Sequence, residues 1–225
     1  MLAILEKAAT AWISRRVSVR PSAAPLSEAA LAVVITGGGS GIGLAIAHDF
    51  ARLGRTIVVA GRTEATLLAA ARAIEHAHGV RAVPLELDVT QADAADVLVR
   101  FLALEGLACD VLVNCAGVGL SGPFEEQEPA GLDQLVATNV AGLTRLTRVL
   151  LPDMLARGRG GILSIASLGG VVPGPFQAAY YASKAYVISL SEAIAAETAG
   201  RGVRVCAVLP GPVETKFHAR MGAES

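Results

Sequence analysis

A single-domain α/β fold, a doubly wound parallel sheet with helices on both faces, is what this sequence predicts, and three observations predict it. From Leu31 onward, short β-rich apolar runs alternate with Ala/Leu-rich segments. The runs do not alternate apolar with polar residues, which is how strands covered on both faces read. The segments between them are long enough for the crossovers that parallel strands need. The repeated β-α unit and right-handed connections then favour the Rossmann arrangement, with ligands outside the carboxyl ends of the strands.

The first strand, Leu31 to Ile35, leads into Thr36-Gly37-Gly38-Gly39-Ser40-Gly41-Ile42-Gly43 and a helix through Phe50. These glycines let the backbone turn sharply and approach a pyrophosphate, whose charge suits the open N–H groups of the helix start. Gly37, Ser40, Gly41, Ile42 and Gly43 are therefore cofactor-binding candidates. Their spacing is G-x-x-x-G-x-G, not the G-x-G-x-x-G of the general dinucleotide fingerprint. The second strand, Thr56 to Ala60, ends in Gly61-Arg62. Glycine stands where an NAD-selective fold often places a carboxylate, and the guanidinium after it can grip a 2′-phosphate, which predicts NADP(H) over NAD(H). Solvating the next helix start is the alternative role for Arg62. The third strand, Arg81 to Leu87, runs into Asp88 and Val89. Asp88 can accept from an adenine amino group or cap the following helix. The fourth strand is Asp110 to Asn114, the fifth Gly161 to Ala166 and the sixth Val203 to Leu209, with Ala/Leu/Val-rich helices near Asp133 to Leu151 and Tyr180 to Thr198.

The 225 residues, 53% hydrophobic and 17% charged, have the balance of one globular domain and not of a disordered chain. Nineteen basic and 20 acidic residues leave a formal charge of −1 with no long run of either sign, so no nucleic-acid partner is expected. The apolar stretch Ala29 to Ile35 is seven residues, short of the roughly 18 to 20 that span a bilayer. Three cysteines in apolar runs, Cys109, Cys115 and Cys206, read as reduced thiols, and a cytoplasmic location is expected. His76 and His78 face different ways on one helix, and His48 and His218 have no partner in the sequence, so no metal site is expected. Residues 1–28 read as an extension and linker ahead of a domain over 29–225. Leu2, Leu5, Ala9, Trp12 and Ile13 recur at helical spacing before Pro21 and Pro25. A docking helix, a disordered or mis-started terminus, and a membrane-surface or targeting segment are the alternatives there.

A second constellation narrows the reading. With three tyrosines and three lysines in the chain, a chance Y-x-x-x-K is expected only about 0.04 times, yet Tyr180 and Lys184 form one. The offset puts both on one helical face, whereas Tyr181 points about 100° away and is expected to pack. Together with Thr36 to Gly43, Asn114-Cys115-Ala116-Gly117 and Ser167, the sequence resembles the short-chain dehydrogenase/reductase family over about residues 31 to 217. Cys115 replaces the second asparagine of that pattern.

The resemblance implies an NAD(P)(H)-dependent oxidoreductase moving a hydride between nicotinamide and a carbonyl or secondary alcohol. Hydride arriving at a carbonyl carbon leaves an alkoxide, so the site needs an acid beside that oxygen and a donor that strengthens as charge develops. Tyr180 is the candidate acid/base, and Ser167, 13 residues before it, the candidate donor, with Ser164 as competitor. A tyrosine titrates near 10. A lysine cation and an oxidised nicotinamide nearby are expected to pull that value down. By resemblance, Lys184 also holds the nicotinamide ribose and Asn139 links Lys184 to solvent through a water. Asn114, Ala116 and Gly117 line the cofactor, and Pro210, Gly211 and Val213 with the Thr215 side chain meet its carboxamide end.

Family members usually continue some tens of residues past this proline-glycine segment, so a C-terminal truncation is expected, with the sixth strand an uncovered edge. The substrate-facing segments, Val118 to Phe124, Leu168 to Gln177 and Val213 to Met221, are mostly apolar, which predicts a small neutral or hydrophobic carbonyl or alcohol substrate. By resemblance the two Ala/Leu/Val-rich helices form a homodimer or homotetramer interface. A non-catalytic or redox-responsive dinucleotide-binding protein, or an inactive truncated family member, is the alternative from another class. A sugar epimerase is disfavoured by the glycine spacing and the lack of length for a sugar-binding domain. Ser167 lacks the G-x-S-x-G elbow of a serine hydrolase.

Overall fold

The computed structural model describes residue 27 and residues 30–211. The expected N-terminal helix, Val213, Thr215 and His218 lie outside the described residues. Six strands form one parallel sheet: β1 (Leu31–Thr36), β2 (Thr56–Gly61), β3 (Ala82–Glu86), β4 (Ala108–Asn114), β5 (Gly160–Ile165) and β6 (Val203–Val208), in the order β3-β2-β1-β4-β5-β6. The helices between them are α1 (Gly41–Arg52), α2 (Glu64–His78), α3 (Ala94–Leu104), α4 (Pro129–Val136), α5 (Leu143–Arg157) and α6 (Ala178–Thr198).

The unbroken apolar runs are explained by burial on two sides. Strand side chains alternate between faces. Ala32 and Val34 of β1 join Val58 of β2 and meet Leu98 of α3 and Leu146 and Met154 of α5. Val33 and Ile35 join Ile57 and Val59 and meet Ala47 of α1 and Leu67 and Ile74 of α2 on the other face. The sheet is therefore doubly wound as expected. β6 differs from the central strands. It is an outer strand of the described sheet, and Arg204, Cys206 and Val208 alternate as exposed positions, so its hydrophobic run is covered on one face only.

The direction of winding reverses between β1 and β4, which are hydrogen-bonded neighbours. In such sheets that reversal opens a crevice at the carboxyl ends of the strands. Thr36 closes its floor, because its hydroxyl donates to Val113 O (3.3 Å) and accepts from Cys115 N and Ala116 N (3.1 Å each). Between α4 and α5 the backbone makes a π-helical turn, Ala137–Gly142. It carries Asn139. Gly142 ends this turn against the segment after β3, where a Cβ would lie 2.5 Å from Val89 O, too close for any other residue.

Candidate functional site

The crevice is built first by the turn after β1. Ser40, the N-cap of α1, has extended backbone (φ −162°, ψ 168°) and makes no side-chain cap, so it leaves the first N–H groups of α1 without that partner. Gly43 lies so close to the turn that a Cβ there would meet Gly37 O at 2.4 Å. A helix start whose N–H groups converge in this way suits a phosphate.

Gly37, Ser40, Arg62, Asp88, Val89, Ala116 and Gly117 line one cleft. Asp88 does not cap the following helix, whose N-cap is Asp93. Asp88 lines the cleft, and its Oδ1 accepts from Thr90 N (3.0 Å) and Thr90 Oγ1 (2.8 Å). Burial pushes its pKa up, but the hydrogen bonds from Thr90 and Gln91 and the Arg62 charge outweigh that and hold the carboxyl below its ordinary value. At the end of β4, Asn114 Nδ2 donates to Thr147 Oγ1 of α5 at 3.0 Å. Thr66, Gln134 and Thr138 line the same cleft and escaped the sequence reading. Gln134 and Thr138 were findable, since they sit at i, i+4 spacing beside Asn139 and are hydrogen-bonded (3.1 Å).

The second half of the site rises from β5 and α6. Ser167 Oγ accepts from Gly169 N (3.1 Å), which caps a 3-10 turn, and its hydroxyl hydrogen-bonds the Tyr180 phenol. Ser164, the competitor, is buried inside β5 and stays in the sheet. Lys184 is buried, donates to Ile165 O (2.7 Å), and holds its ammonium 5.6 Å from the centre of the Tyr180 ring. Tyr181 packs as expected, with a Cβ at Gly174 falling 2.4 Å from its ring. Asn139 Nδ2 donates to Val118 O (2.8 Å) and Ser183 Oγ (3.0 Å), while its Oδ1 accepts from Val118 N (2.9 Å). Ser183 in turn donates to Tyr180 O (2.7 Å), an internal link the sequence reading missed. Leu168 N donates to Pro210 O (3.1 Å), so Pro210 and Gly211 stand beside the Ser167 segment.

The electrostatics correct one expectation. Burial pushes the Tyr180 phenol up from its ordinary value, the Ser167 hydrogen bond offsets part of the rise, and Tyr181 adds to it. The lysine does not reverse this in the chain by itself, because burial brings Lys184 down to about 8, with Cys115 opposing, and it bonds Ile165 O. Cys115, in the place of an asparagine, is pushed by burial up to about 11 and stays a thiol. A second correction concerns His48, which is not partnerless: its Nδ1 lies 2.9 Å from His78 Nε2. Among the described residues no group of three or more His, Cys, Asp or Glu side chains is placed to hold a metal.

The depressed Lys184 value has a measurable consequence. Its folded value is below its unfolded one, so between about pH 8 and 10.5 the unfolded chain binds more protons and this group's contribution to stability rises with pH. The difference in melting temperature between wild type and Lys184→Met therefore changes across that window in favour of the wild type. A constant difference would contradict the burial of the ammonium.

A family model described as short chain dehydrogenase matches residues 31–225. A short chain dehydrogenase of Pseudocercospora fijiensis is 38% identical over 189 residues, which are 83% of this chain but only 60% of the length of that relative. A solved short-chain dehydrogenase from Sphingobium yanoikuyae in complex with NADPH aligns at a TM-score of 0.80 and 33% identity, covering 86% of this chain and 76% of that one. A bulky-bulky ketone specific alcohol dehydrogenase from Comamonas testosteroni aligns at 0.74 and 32% identity, covering 80% and 72%.

Proposed function

The chain belongs to the short-chain dehydrogenase family, and from that premise we propose that it is an NAD(P)(H)-dependent oxidoreductase acting on a carbonyl or secondary alcohol. The observation that carries the proposal is the Ser167 hydrogen bond to the Tyr180 phenol beside a buried lysine. The cleft fits a dinucleotide: the bare Gly43 and Gly37 backbones make the anion cradle, and Gly117 leaves open the space within 3.7 Å of the Lys184 ammonium that a Cβ would fill. Gly37, Ser40, Gly41, Ile42 and Gly43 would hold the pyrophosphate, Asp88 and Val89 the adenine end, and Asn114, Ala116, Gly117 and Lys184 the nicotinamide half. When bound, the nicotinamide gives or takes the hydride. Tyr180 delivers the proton to the carbonyl oxygen in reduction and takes it back in oxidation. Ser167 donates a hydrogen bond to that oxygen, and Lys184 favours the phenolate as Tyr180 loses its proton.

The NADP(H) preference rests on Arg62, which follows Gly61 at the cleft wall. A charge-assisted hydrogen bond contributes about 1.5–3 kcal/mol, so Arg62→Ala should lower the NADPH over NADH ratio of kcat/KM about tenfold or more. An unchanged ratio removes the assignment. The exposed Val149 of α5 and Tyr186 of α6 support a homodimer or homotetramer, which light scattering reads. Free Cys109, Cys115 and Cys206 support a reducing, cytoplasmic setting, and no described helix is long and apolar enough to cross a membrane. The deciding experiment is an NADPH-oxidation screen over aldehydes, ketones and quinones. Turnover of a neutral or apolar carbonyl is the expected result. NADPH binding without turnover of any would favour the non-catalytic alternative.

A further inference from the structure

Phe176 is the only non-glycine among the described residues with a left-handed backbone, φ 64°. It immediately precedes Gln177, the N-cap of α6, one turn ahead of Tyr180. Its carbonyl accepts from Gly122 N (2.9 Å), which joins the segment before α6 to the segment after β4. A glycine at 176 would keep that bond and relieve the backbone, since the cost of this conformation comes from Cβ.

The ring does not offset the strain within the fold. A hydrophobic residue before the N-cap often packs on the fourth helical residue, here Tyr181. Tyr181 is already taken up by Gly169 and Gly174, and Phe176 remains 66% exposed. Its surroundings are apolar. Residues 117–123 and 167–177 contain no charged side chain, and Leu168 beside Ser167 is also exposed. Backbone strain at an exposed bulky residue one helical turn ahead of Tyr180 is characteristic of functional positions.

We infer that Phe176 is a specificity-determining residue whose ring covers the larger, apolar substituent of the substrate, so that the preferred substrates are ketones bearing an aryl or comparably bulky apolar group. The inference rests on the oxidoreductase reading given above. A polyol or sugar ketone finds no charged or hydrogen-bonding side chain in either segment except Ser121, Ser167 and Gln177. An aryl group finds an edge or face of Phe176 to pack against.

The test compares acetophenone with butanone as substrates of wild type, Phe176→Gly and Phe176→Leu, using NADPH oxidation. Both ketones share cofactor, Tyr180 and Ser167, so their ratio of kcat/KM cancels any general loss. The expected result is a tenfold or larger fall in the acetophenone over butanone ratio in Phe176→Gly, chiefly through KM, partial recovery in Phe176→Leu, and a melting temperature within a few degrees of wild type. An unchanged ratio with wild type active overturns this inference alone. So does an unchanged ratio accompanied by a smaller particle in light scattering, which would show that the ring meets a second copy. A large fall in melting temperature would overturn it too, by showing that the ring packs within the fold. A wild type inactive on every carbonyl overturns the oxidoreductase reading, and this inference with it.

Discussion

Tyr180→Phe should lower carbonyl turnover by about 10²–10⁴-fold, the usual contribution of a positioned acid or base, while NADPH binding changes less than about twofold. The substitution removes one oxygen and leaves the ring, so the neighbours at α6 keep their packing. What disappears is the hydroxyl that Ser167 hydrogen-bonds, while the ring centre stays 5.6 Å from the Lys184 ammonium. Lys184 keeps its bond to Ile165 O in the variant, so the cofactor side of the site stays formed. Stopped-flow turnover together with a fluorescence titration of NADPH separates the two effects. Tyr181→Phe is the matched control, because that ring is packed against Gly169 and Gly174, and it should stay within about twofold of wild type. Near-normal turnover in Tyr180→Phe would remove the tyrosine from the chemistry.

Gly43→Ala should cost the cradle itself. The new Cβ would stand 2.4 Å from Gly37 O and 2.9 Å from Gly37 C, distances that only a shift of the turn or of α1 can relieve. Overpacking of this kind costs about 1–3 kcal/mol, which for a chain of this size lowers the melting temperature by roughly 2–12 °C. The shift also moves the N–H groups of the α1 start relative to the turn, so the dissociation constant for NADPH should rise tenfold or more. Calorimetric melts with and without NADPH measure both effects. Wild-type affinity in the variant would show that the turn accepts a side chain and that the anion cradle is elsewhere.

Most of the scaffold was legible because its signals are local. The six apolar runs predicted the six strands to within two residues at each end, and in the central strands burial on both faces is what requires the uninterrupted hydrophobes. The Gly37 to Gly43 turn and the Tyr180–Lys184 pair were legible for the same reason: each sits on one element with a fixed spacing. The direction of the Asn114 side chain was not, because it depends on which helix covers β4 at that height, and Thr147 is 33 residues away in sequence. The His48 to His78 contact is likewise a matter of how α1 leans on α2. The rise of the Tyr180 value in the chain alone was not legible, because it comes from burial that only the fold sets. Phe176 falls in the substrate-facing segment Leu168 to Gln177, but nothing in its neighbours announces its positive φ.

The π turn between α4 and α5 has a genealogical consequence. It amounts to one surplus residue in an otherwise continuous helical stretch, and the wider turn absorbs that residue so that the helices on either side keep their phase. Downstream, Leu146, Leu150 and Met154 are locked into the core. Within the turn, Asn139 is clamped to both polar groups of the Val118 backbone. A lineage that lost the extra residue would keep the core and surrender the clamp.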